Sequence, residues 1–207
     1  MSLCKKRCMI NEEAPDFLGE VYFNNEFKEV SLHGYNDKWV ILLFYPLNFT
    51  FVCPTELIEF SRRMDEFKEL NTEIIGISCD SVYSHHVWSE MPLKKGGIGK
   101  LKYPLMSDLN GEISKLYNVL LENDNHPCRG TYIIDSNKKI RHISMNDPPV
   151  GRNSDEYIRL IKGYQFADEH GEVCPINWNP GSKTIKPEPT KKLEYFEENN
   201  KDELNEE

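Results

Sequence analysis

Two cysteines share a local sequence, because the tripeptide Val-Cys-Pro occurs once around Cys53 and once around Cys174. Free cysteine is among the residue types most often buried, so packing is the ordinary explanation for each. A core-filling cysteine, however, needs neither the break at Pro46 nor the hydroxyl of Thr50 before it. Cys174 lies in a segment rich in Pro, Gly and Asn that suits a core poorly. The pattern therefore predicts a nucleophilic thiol at Cys53 and a second thiol able to meet it.

Cys53 lies where a predicted strand passes to a predicted helix, and reactive groups of α/β sheets gather at such points. The unpaired N–H groups and the positive end of the helix dipole favour a thiolate, and Thr50 offers a hydroxyl donor nearby. One helix end contributes only about 0.3 to 1 kcal/mol, whereas an ordinary thiol is mostly protonated at neutral pH. The interpretation therefore requires a cation close to the sulfur.

The residues around Cys53 predict a β-α-β unit. WVILLFY at 39–45 is a continuous apolar run of strand length, typical of a strand covered on both faces. Apolar residues spaced by three and four predict a helix over 54–70, with a proline suited to its first turn. EIIGISC at 73–79 predicts a second buried strand. The crossover of such a unit is right-handed.

The rest of the chain predicts an α/β domain followed by an arm. We expect helices at 81–90, 112–118, 155–166 and 191–198, a loop at 96–99, and a β-hairpin at 130–145. After about residue 170 the composition shifts toward Pro, Gly and Asn. The predicted organisation is a flexible N-terminus at 1–13, one domain at 14–170, and a C-terminal arm with an acidic tail at 171–207.

Composition excludes several partners. The net charge is −9, and residues 187–207 carry eight acidic residues against three lysines, which disfavours nucleic acid. No apolar run approaches the roughly eighteen residues that would span a bilayer. The N-terminus lacks a secretory signal pattern, and the KDEL at 201–204 is not terminal. With six cysteines interpreted as reduced thiols, the sequence predicts a cytoplasmic protein without a membrane partner.

Several segments resemble one known family. FYPLNFTFVCPTE at 44–56 is similar to the active-site segment of the typical two-cysteine peroxiredoxins, and HGEVCPINWNPGSKTIKP at 170–187 resembles their second-cysteine segment. GGIGKLKYPLMSD, RGTYIID and NDPPVGRN also match in order, so the resemblance covers about 14–196. It implies a thioredoxin-like fold, an α/β architecture with a central mixed sheet flanked by helices and a C-terminal arm.

The resemblance implies a thiol-dependent peroxidase acting on hydrogen peroxide and organic hydroperoxides. Cys53 would become a sulfenic acid and then form an intermolecular disulfide with Cys174 of a second subunit, which a thioredoxin-like protein would reduce. The two sulfurs would begin too far apart to bond, so the first turn of the Cys53 helix must unwind. Homodimers and rings of dimers are expected.

The resemblance also assigns supporting roles. Thr50 would hydrogen-bond the peroxide, Pro46 would shield the sulfur from water, and Arg129 would supply the required cation. Glu56 and Arg152 match a carboxylate and an arginine that orient this set. For the two arginines, a surface ion pair is the alternative explanation.

Two further stretches resemble a regulatory pair that slows unwinding and leaves the sulfenic acid time to become sulfinic acid. We therefore expect sensitivity to excess peroxide, although an isoleucine replaces the commoner leucine of the first stretch. The residues concerned are Gly96, Gly97, Ile98 and Gly99, and Tyr195 and Phe196.

The remaining cysteines are interpreted mainly as packing residues. Cys79 falls in a predicted strand. For Cys128, which lies next to Arg129 in the sequence, the alternative to packing is that its thiol becomes oxidised because it lies near the reactive site. Cys4 and Cys8 form a CKKRC pattern without a second ligand pair, a weak basis for a metal site. Because no haem, flavin or metal motif occurs, we expect thiol chemistry without cofactor or metal.

Two other functions stay open alongside a peroxidase. A thioredoxin-like disulfide exchanger usually carries Cys-x-x-Cys, whereas Cys53 is followed by Pro-Thr-Glu. A non-enzymatic role, as a ring-shaped holdase or a redox relay that passes oxidation to partners, is compatible with the same residues.

Overall fold

The structure is a computed structural model that describes residues 9–121 and 123–199. Cys4, Cys8 and the end of the acidic tail at 200–207 lie outside the described residues. The chain divides into two compact units, Met1–Ser154, here called the sheet unit, and Asp155–Glu207, here called the arm unit.

The sheet unit is built on a mixed β-sheet, which over the described residues has seven strands in the order β2-β1-β5-β4-β3-β8-β9. Strand β3 pairs in parallel with β4 and antiparallel with β8, and β4 pairs in parallel with β5. A separate two-stranded sheet joins β6 and β7. The strands are β1 Leu18–Phe23, β2 Glu26–Ser31, β3 Trp39–Phe44, β4 Thr72–Ser78, β5 Leu105–Ser107, β6 Leu120–Leu121, β7 His126–Pro127, β8 Arg129–Ile134 and β9 Ile140–Asn146.

Helices flank this sheet, with α2 packed against β4 and α3 against β1 and β5. The predicted α/β fold with a central mixed sheet is confirmed. In the described part of the chain, no helix is both long and apolar enough to cross a membrane. The helices are α1 Cys53–Arg62, α2 Met64–Glu69, α3 Val82–Glu90, α4 Glu112–Leu116, α5 Ser154–His170 and α6 Lys192–Asn199.

The predicted β-α-β unit is present, and it places the first helix after a central strand. Every residue of β3 is buried, as its continuous apolar run predicts, and β4 and β8 flank it in the sheet. The chain leaves β3 at Phe44, passes through residues 45–52, and enters α1 at Cys53. Cys53 therefore lies at the N-terminus of a helix, near the carboxyl end of a buried strand.

The single helix predicted over 54–70 is wrong, because α1 ends at Arg62 and α2 begins at Met64. Arg63 leaves helical geometry (φ −91°, ψ 7°), and its guanidinium pairs with Glu66 in the next segment. The apolar stripe continues across this break and buries the same face. Periodicity alone therefore does not detect it.

The hairpin of β1 and β2 was not predicted from the sequence. Its two turn residues, Asn24 and Asn25, both have positive φ (53° and 62°), the backbone that a two-residue hairpin turn requires. Asparagine tolerates this conformation better than most residues. The Asn-Asn dipeptide was the signal that could have located the turn. The predicted β8–β9 hairpin is confirmed, with antiparallel pairing.

Candidate active site

Cys53 is the first residue of α1, and its side chain is buried beside a cation. Arg129 Nη1 donates to Cys53 Sγ at 3.4 Å. Pro54 follows in the first helical turn, and Val52 caps the helix without a side-chain hydrogen bond. The sulfur therefore faces the positive helix end and a guanidinium, which both favour an anion.

Glu56, one turn further along α1, is shared by two arginines. Its Oε2 accepts from Arg129 Nη1 at 2.8 Å and from Arg152 Nη2 at 2.9 Å. Its Oε1 accepts from the backbone N of Arg152 at 2.8 Å and from its Nε at 2.9 Å. All three side chains are at most 4% exposed. One carboxylate between two guanidiniums leaves a net charge of one positive unit next to Cys53.

Burial acts to raise the pKa of the Glu56 carboxyl, but the charge and hydrogen bonds of Arg152, and then the charge of Arg129, hold that pKa below its usual value. The carboxylate is therefore ionised at neutral pH. It fixes both arginines without cancelling the charge that faces the thiol.

Backbone carbonyls hold the two arginines in place. Arg129 opens β8, and its Nε donates to Pro148 O at 2.7 Å. Arg152 Nη1 donates to Phe44 O, the last carbonyl of β3, and to Gly130 O, both at 2.9 Å. Because Phe44 O and Gly130 O come from β3 and β8, sheet pairing sets where the Arg152 guanidinium points, whereas Arg129 is held by a carbonyl that follows β9.

Hydrogen bonds of the buried Asn48 hold the loop at residues 45–52. Asn48 Oδ1 accepts from the Tyr45 hydroxyl at 2.9 Å, and its Nδ2 donates to Ser84 Oγ at 2.9 Å and contacts His85 Nδ1 at 3.0 Å. Its backbone N–H donates to Asp80 Oδ2 at 2.9 Å. Every polar atom of the Asn48 side chain is thus satisfied. Sequence reasoning missed this network, because Asn48 lies more than 30 positions before its partners on and near α3, and the residues form no motif.

His85 is part of the same buried network. Its Nε2 lies 3.2 Å from Met106 O, which can only accept, so this nitrogen carries the proton and Nδ1 accepts from Asn48. Burial lowers the pKa of His85 to about 4, against weaker opposing contributions from Asp80 and the Met106 carbonyl. The imidazole is therefore neutral at physiological pH.

Pro46 is buried at the start of this loop, and Thr50 is partly exposed. The Thr50 hydroxyl donates to Leu47 O at 2.8 Å, so its proton does not point to the sulfur, contrary to the sequence-based expectation of a donor. Its lone pairs stay available to accept a hydrogen bond from a ligand.

In the arm unit, Cys174 is a free, partly buried thiol in a groove along α5. Its Sγ lies 3.6 Å from Gly163 O, and Arg159, which also lines the groove, donates from Nη1 to Trp178 O at 3.1 Å. Burial raises the pKa of Cys174, and the charge of Arg159 opposes that rise. Ile176, two residues on, is 88% exposed. The segment around Cys174 thus presents an apolar surface.

The two stretches expected to be regulatory lie in different units. In the sheet unit, residues 96–99 form a loop that requires glycine, since a Cβ at Gly97 would lie 2.0 Å from Met91 O. Ile98 of this loop is buried. In the arm unit, Tyr195 and Phe196 lie on α6 with their rings edge to face, 5.6 Å between centroids.

The other described cysteines lie in apolar or half-buried places. Cys128 belongs to the core cluster of the sheet unit, and burial raises its pKa. Burial also raises the pKa of Cys79, to about 11. Both thiols are free and mostly protonated at neutral pH. Packing remains our interpretation of both.

Comparisons with known proteins identify the family. The AhpC/TSA family model matches residues 10–143, and the model of the C-terminal domain of 1-Cys peroxiredoxin matches residues 163–198. The chain is 52% identical over 189 residues to the mitochondrial thioredoxin-dependent peroxide reductase of Drosophila melanogaster, covering 90% of this chain and 81% of that protein. It belongs to the two-cysteine peroxiredoxin family.

Other peroxiredoxins are similar over most of their length. Human Peroxiredoxin-4 is 47% identical over 199 residues, covering 96% of this chain and 73% of that protein. The reduced 2-Cys peroxiredoxin of Plasmodium vivax superposes with a TM-score of 0.90 at 42% identity, covering 92% of this chain and 99% of that one. The mitochondrial 2-Cys peroxiredoxin of Plasmodium falciparum gives a TM-score of 0.76 at 48% identity, with coverages of 80% and 99%. The thioredoxin-like fold expected from the resemblance is confirmed.

Proposed function

We propose that this peroxiredoxin reduces hydrogen peroxide and organic hydroperoxides with Cys53 as the nucleophile. The observation that carries the proposal is the 3.4 Å contact between Arg129 Nη1 and Cys53 Sγ at the N-terminus of α1. The thiolate attacks one peroxide oxygen, the O–O bond breaks, and the other oxygen takes a proton and leaves as water or an alcohol. Cys53 is left as a neutral sulfenic acid.

Five residues around the thiol support this step. Arg129 stabilises the charge that develops on the leaving oxygen as well as the thiolate. Thr50, whose own proton is held by a backbone carbonyl, accepts a hydrogen bond from the peroxide and orients it. Glu56 and Arg152 fix Arg129. Pro46, buried at the start of the loop, limits the access of water.

Cys174 of a second subunit completes the cycle. Its sulfur attacks the Cys53 sulfenic sulfur, the hydroxyl leaves as water, and an intermolecular disulfide forms. A thioredoxin-like dithiol protein then reduces this disulfide to two thiols. Support comes from the free thiol of Cys174 in its groove and from the exposed Ile176 beside it, which suits contact with another subunit.

Assembly beyond the dimer, into a ring of dimers, is part of the proposal. An exposed apolar patch on the sheet unit, formed by Phe27 of β2 and by Tyr83 and Val87 of α3, supports a further protein contact. Sedimentation of the reduced protein tests it, since Tyr83→Glu should dissociate the ring into dimers.

We further propose a cytoplasmic location, supported by the composition, although several relatives are named as mitochondrial. Cell fractionation tests this.

The proposed regulation involves Gly96, Gly97, Ile98 and Gly99 of the loop and Tyr195 and Phe196 of α6. These residues would delay unwinding of the first turn of α1, so that high peroxide converts Cys53 to a sulfinic acid. The glycine requirement at Gly97 supports a fixed loop shape. Mass spectrometry after peroxide titration with an active reductant tests this, and absence of sulfinic acid on Cys53 at high peroxide contradicts it.

Stopped-flow kinetics with two variants test the reaction. Cys53→Ser should abolish the fast reaction with peroxide, whereas Cys174→Ser should keep a single-turnover burst without further cycling. Non-reducing electrophoresis should show a disulfide-linked dimer that requires both cysteines. Full cycling of Cys174→Ser with thioredoxin would refute the role of Cys174, and a fast reaction in Cys53→Ser would refute the proposed nucleophile.

A further inference from the structure

Trp88 contacts two loops of the sheet unit at once. Its indole is fully buried on α3, and its ring lies 5.6 Å, between centroids, from the ring of Phe49 in the loop before Cys53. Its Nε1 donates to Gly96 O at 2.8 Å, and its own carbonyl accepts from the Ile98 N–H at 3.4 Å. One side chain thus connects the loop that precedes the thiol with the loop at 96–99.

Phe49 has an unfavourable backbone conformation. Its φ is 58°, in the left-handed region that bulky side chains rarely adopt. The preceding residue, Asn48, is held by Asp80 and Ser84, and the Phe49 ring packs on Trp88. Such a conformation persists only where its surroundings stabilise it. The ring contact with Trp88 is therefore part of what keeps this loop in place.

The backbone of the loop at 96–99 also has little conformational freedom. Gly96 has a φ of 84°, and Gly97 approaches Met91 O so closely that no Cβ fits. The indole N–H of Trp88 is buried, and losing its acceptor would leave an unsatisfied donor. The position of the Gly96 carbonyl and the position of the indole are therefore linked.

We propose that Trp88 is a positioning residue that couples the loop at 96–99 to residues 48–50 and thereby sets how long oxidised Cys53 stays in its folded pocket. This inference rests on the proposed function, because it concerns the step between sulfenic acid and disulfide. Unwinding of the first turn of α1 releases Phe49 from its left-handed conformation and from the indole. The strength of the Phe49–Trp88 contact thus enters the equilibrium between folded and unwound pocket.

Two variants weaken the coupling from opposite sides. Phe49→Leu keeps the backbone cost but loses the aromatic contact, and Trp88→Phe keeps a ring but loses the hydrogen bond to Gly96. Phe51→Leu is the matched control for the first, because Phe51 lies in the same loop and is 92% exposed. Trp39→Phe controls for the second, as a buried tryptophan at the start of β3.

The readout is the rate at which Cys53 sulfenic acid becomes the disulfide, followed by rapid quench and alkylation. We expect Phe49→Leu and Trp88→Phe to raise this rate by about fivefold, the factor that corresponds to losing one aromatic pair or hydrogen bond. The peroxide concentration needed for sulfinic acid should rise with it. Phe51→Leu and Trp39→Phe should leave both quantities unchanged. Unchanged disulfide rates in both test variants, with folding intact by circular dichroism, would overturn the coupling.

A second measurement leaves Phe49 and Trp88 in place. In Trp39→Phe/Trp178→Phe, Trp88 supplies all tryptophan emission, and we expect that emission to change in the disulfide-forming phase and to lack that phase when Cys174→Ser is added. Constant tryptophan emission during disulfide formation would overturn the proposed coupling but leave the proposed peroxidase function intact. If Cys53 of the parent protein forms no sulfenic acid, the proposed function fails and the coupling fails with it.

Discussion

Glu56 is the shared partner of two buried arginines, and replacing it with its neutral isostere tests the architecture of the site. The carboxylate accepts one hydrogen bond from Arg129 and three from Arg152. Glu56→Gln keeps the volume but removes the charge, and its amide NH₂ must face two arginine N–H donors. Removing one partner of a buried ion pair costs about 3 to 5 kcal/mol. We expect the free energy of unfolding to fall by about that amount.

Urea unfolding followed by circular dichroism measures this loss, and Glu66→Gln is the matched control. Glu66 also receives two hydrogen bonds from one arginine, Arg63, at 2.8 and 3.0 Å, but its side chain is 48% exposed. Solvent-exposed pairs contribute about 1 kcal/mol or less. Equal losses in Glu56→Gln and Glu66→Gln would refute the reasoning that burial makes the Glu56 cluster decisive.

The pH dependence provides a second check of the same substitution. Burial acts to raise the pKa of Glu56, but Arg152 and then Arg129 hold it below its usual value, so the folded state favours the ionised form. Its stabilisation is complete above the unfolded carboxyl pKa of about 4.3 and is lost as the pH falls from there through the lowered folded value. The stability difference between the parent protein and Glu56→Gln should therefore shrink on acidification. A constant difference across that range would contradict the assignment.

Three further outcomes follow from the sheet unit. Arg129→Lys keeps a charge, but one ammonium cannot contact Cys53 and Glu56 while also donating to Pro148 O, as Nη1 and Nε of Arg129 do. The stopped-flow rate constant with peroxide should therefore fall about 100-fold; a rate close to the parent's contradicts this. Gly97→Ala puts a Cβ 2.0 Å from Met91 O and should cost about 1 to 3 kcal/mol, whereas Gly34→Ala, with nothing nearer than 3.7 Å, should cost little; equal Tm values refute the difference. Because burial lowers the pKa of His85 to about 4, stability should be full above about pH 6.5 and fall by about 3 kcal/mol toward pH 4. The Tm of His85→Gln should depend less on pH over this range, and parallel profiles would contradict the assignment.

Local sequence patterns predicted the elements that carry the thiol. The apolar run of β3 and the proline after Cys53 are local signals, and the strand and helix they indicate are present, although the helix breaks at Arg63. The need for a cation followed from the weakness of one helix dipole, but its identity came from the family resemblance. Nothing in the spacing between Cys53 and Arg129 points to their contact, because pairing of β8 with β3 creates it.

The contacts that hold the loop before Cys53 could not be predicted. Asn48 meets His85 across 37 positions and Asp80 across 32, through side chains that share no periodicity. The left-handed backbone of Phe49 could not be predicted either, since phenylalanine rarely adopts that conformation. Tertiary contacts override local preference at this point, as is common where a site needs a loop in one particular shape.

The charge balance of the pocket predicts a link between oxidation of Cys53 and unwinding of the first turn of α1. Glu56 neutralises one of two guanidiniums, so a Cys53 thiolate makes the cluster neutral, whereas the neutral sulfenic acid leaves one buried positive charge without a counterion. Oxidation should therefore loosen the first turn of α1, where the N–H groups of Thr55 and Glu56 donate to Val52 O. Cys53→Ser stands in for the neutral sulfenic acid, and we expect those two amides to exchange hydrogen about tenfold faster in it than in the reduced parent. Amides of α3 serve as the internal control. Equal protection of the first turn in both proteins would mean that the charge on sulfur does not hold the pocket closed.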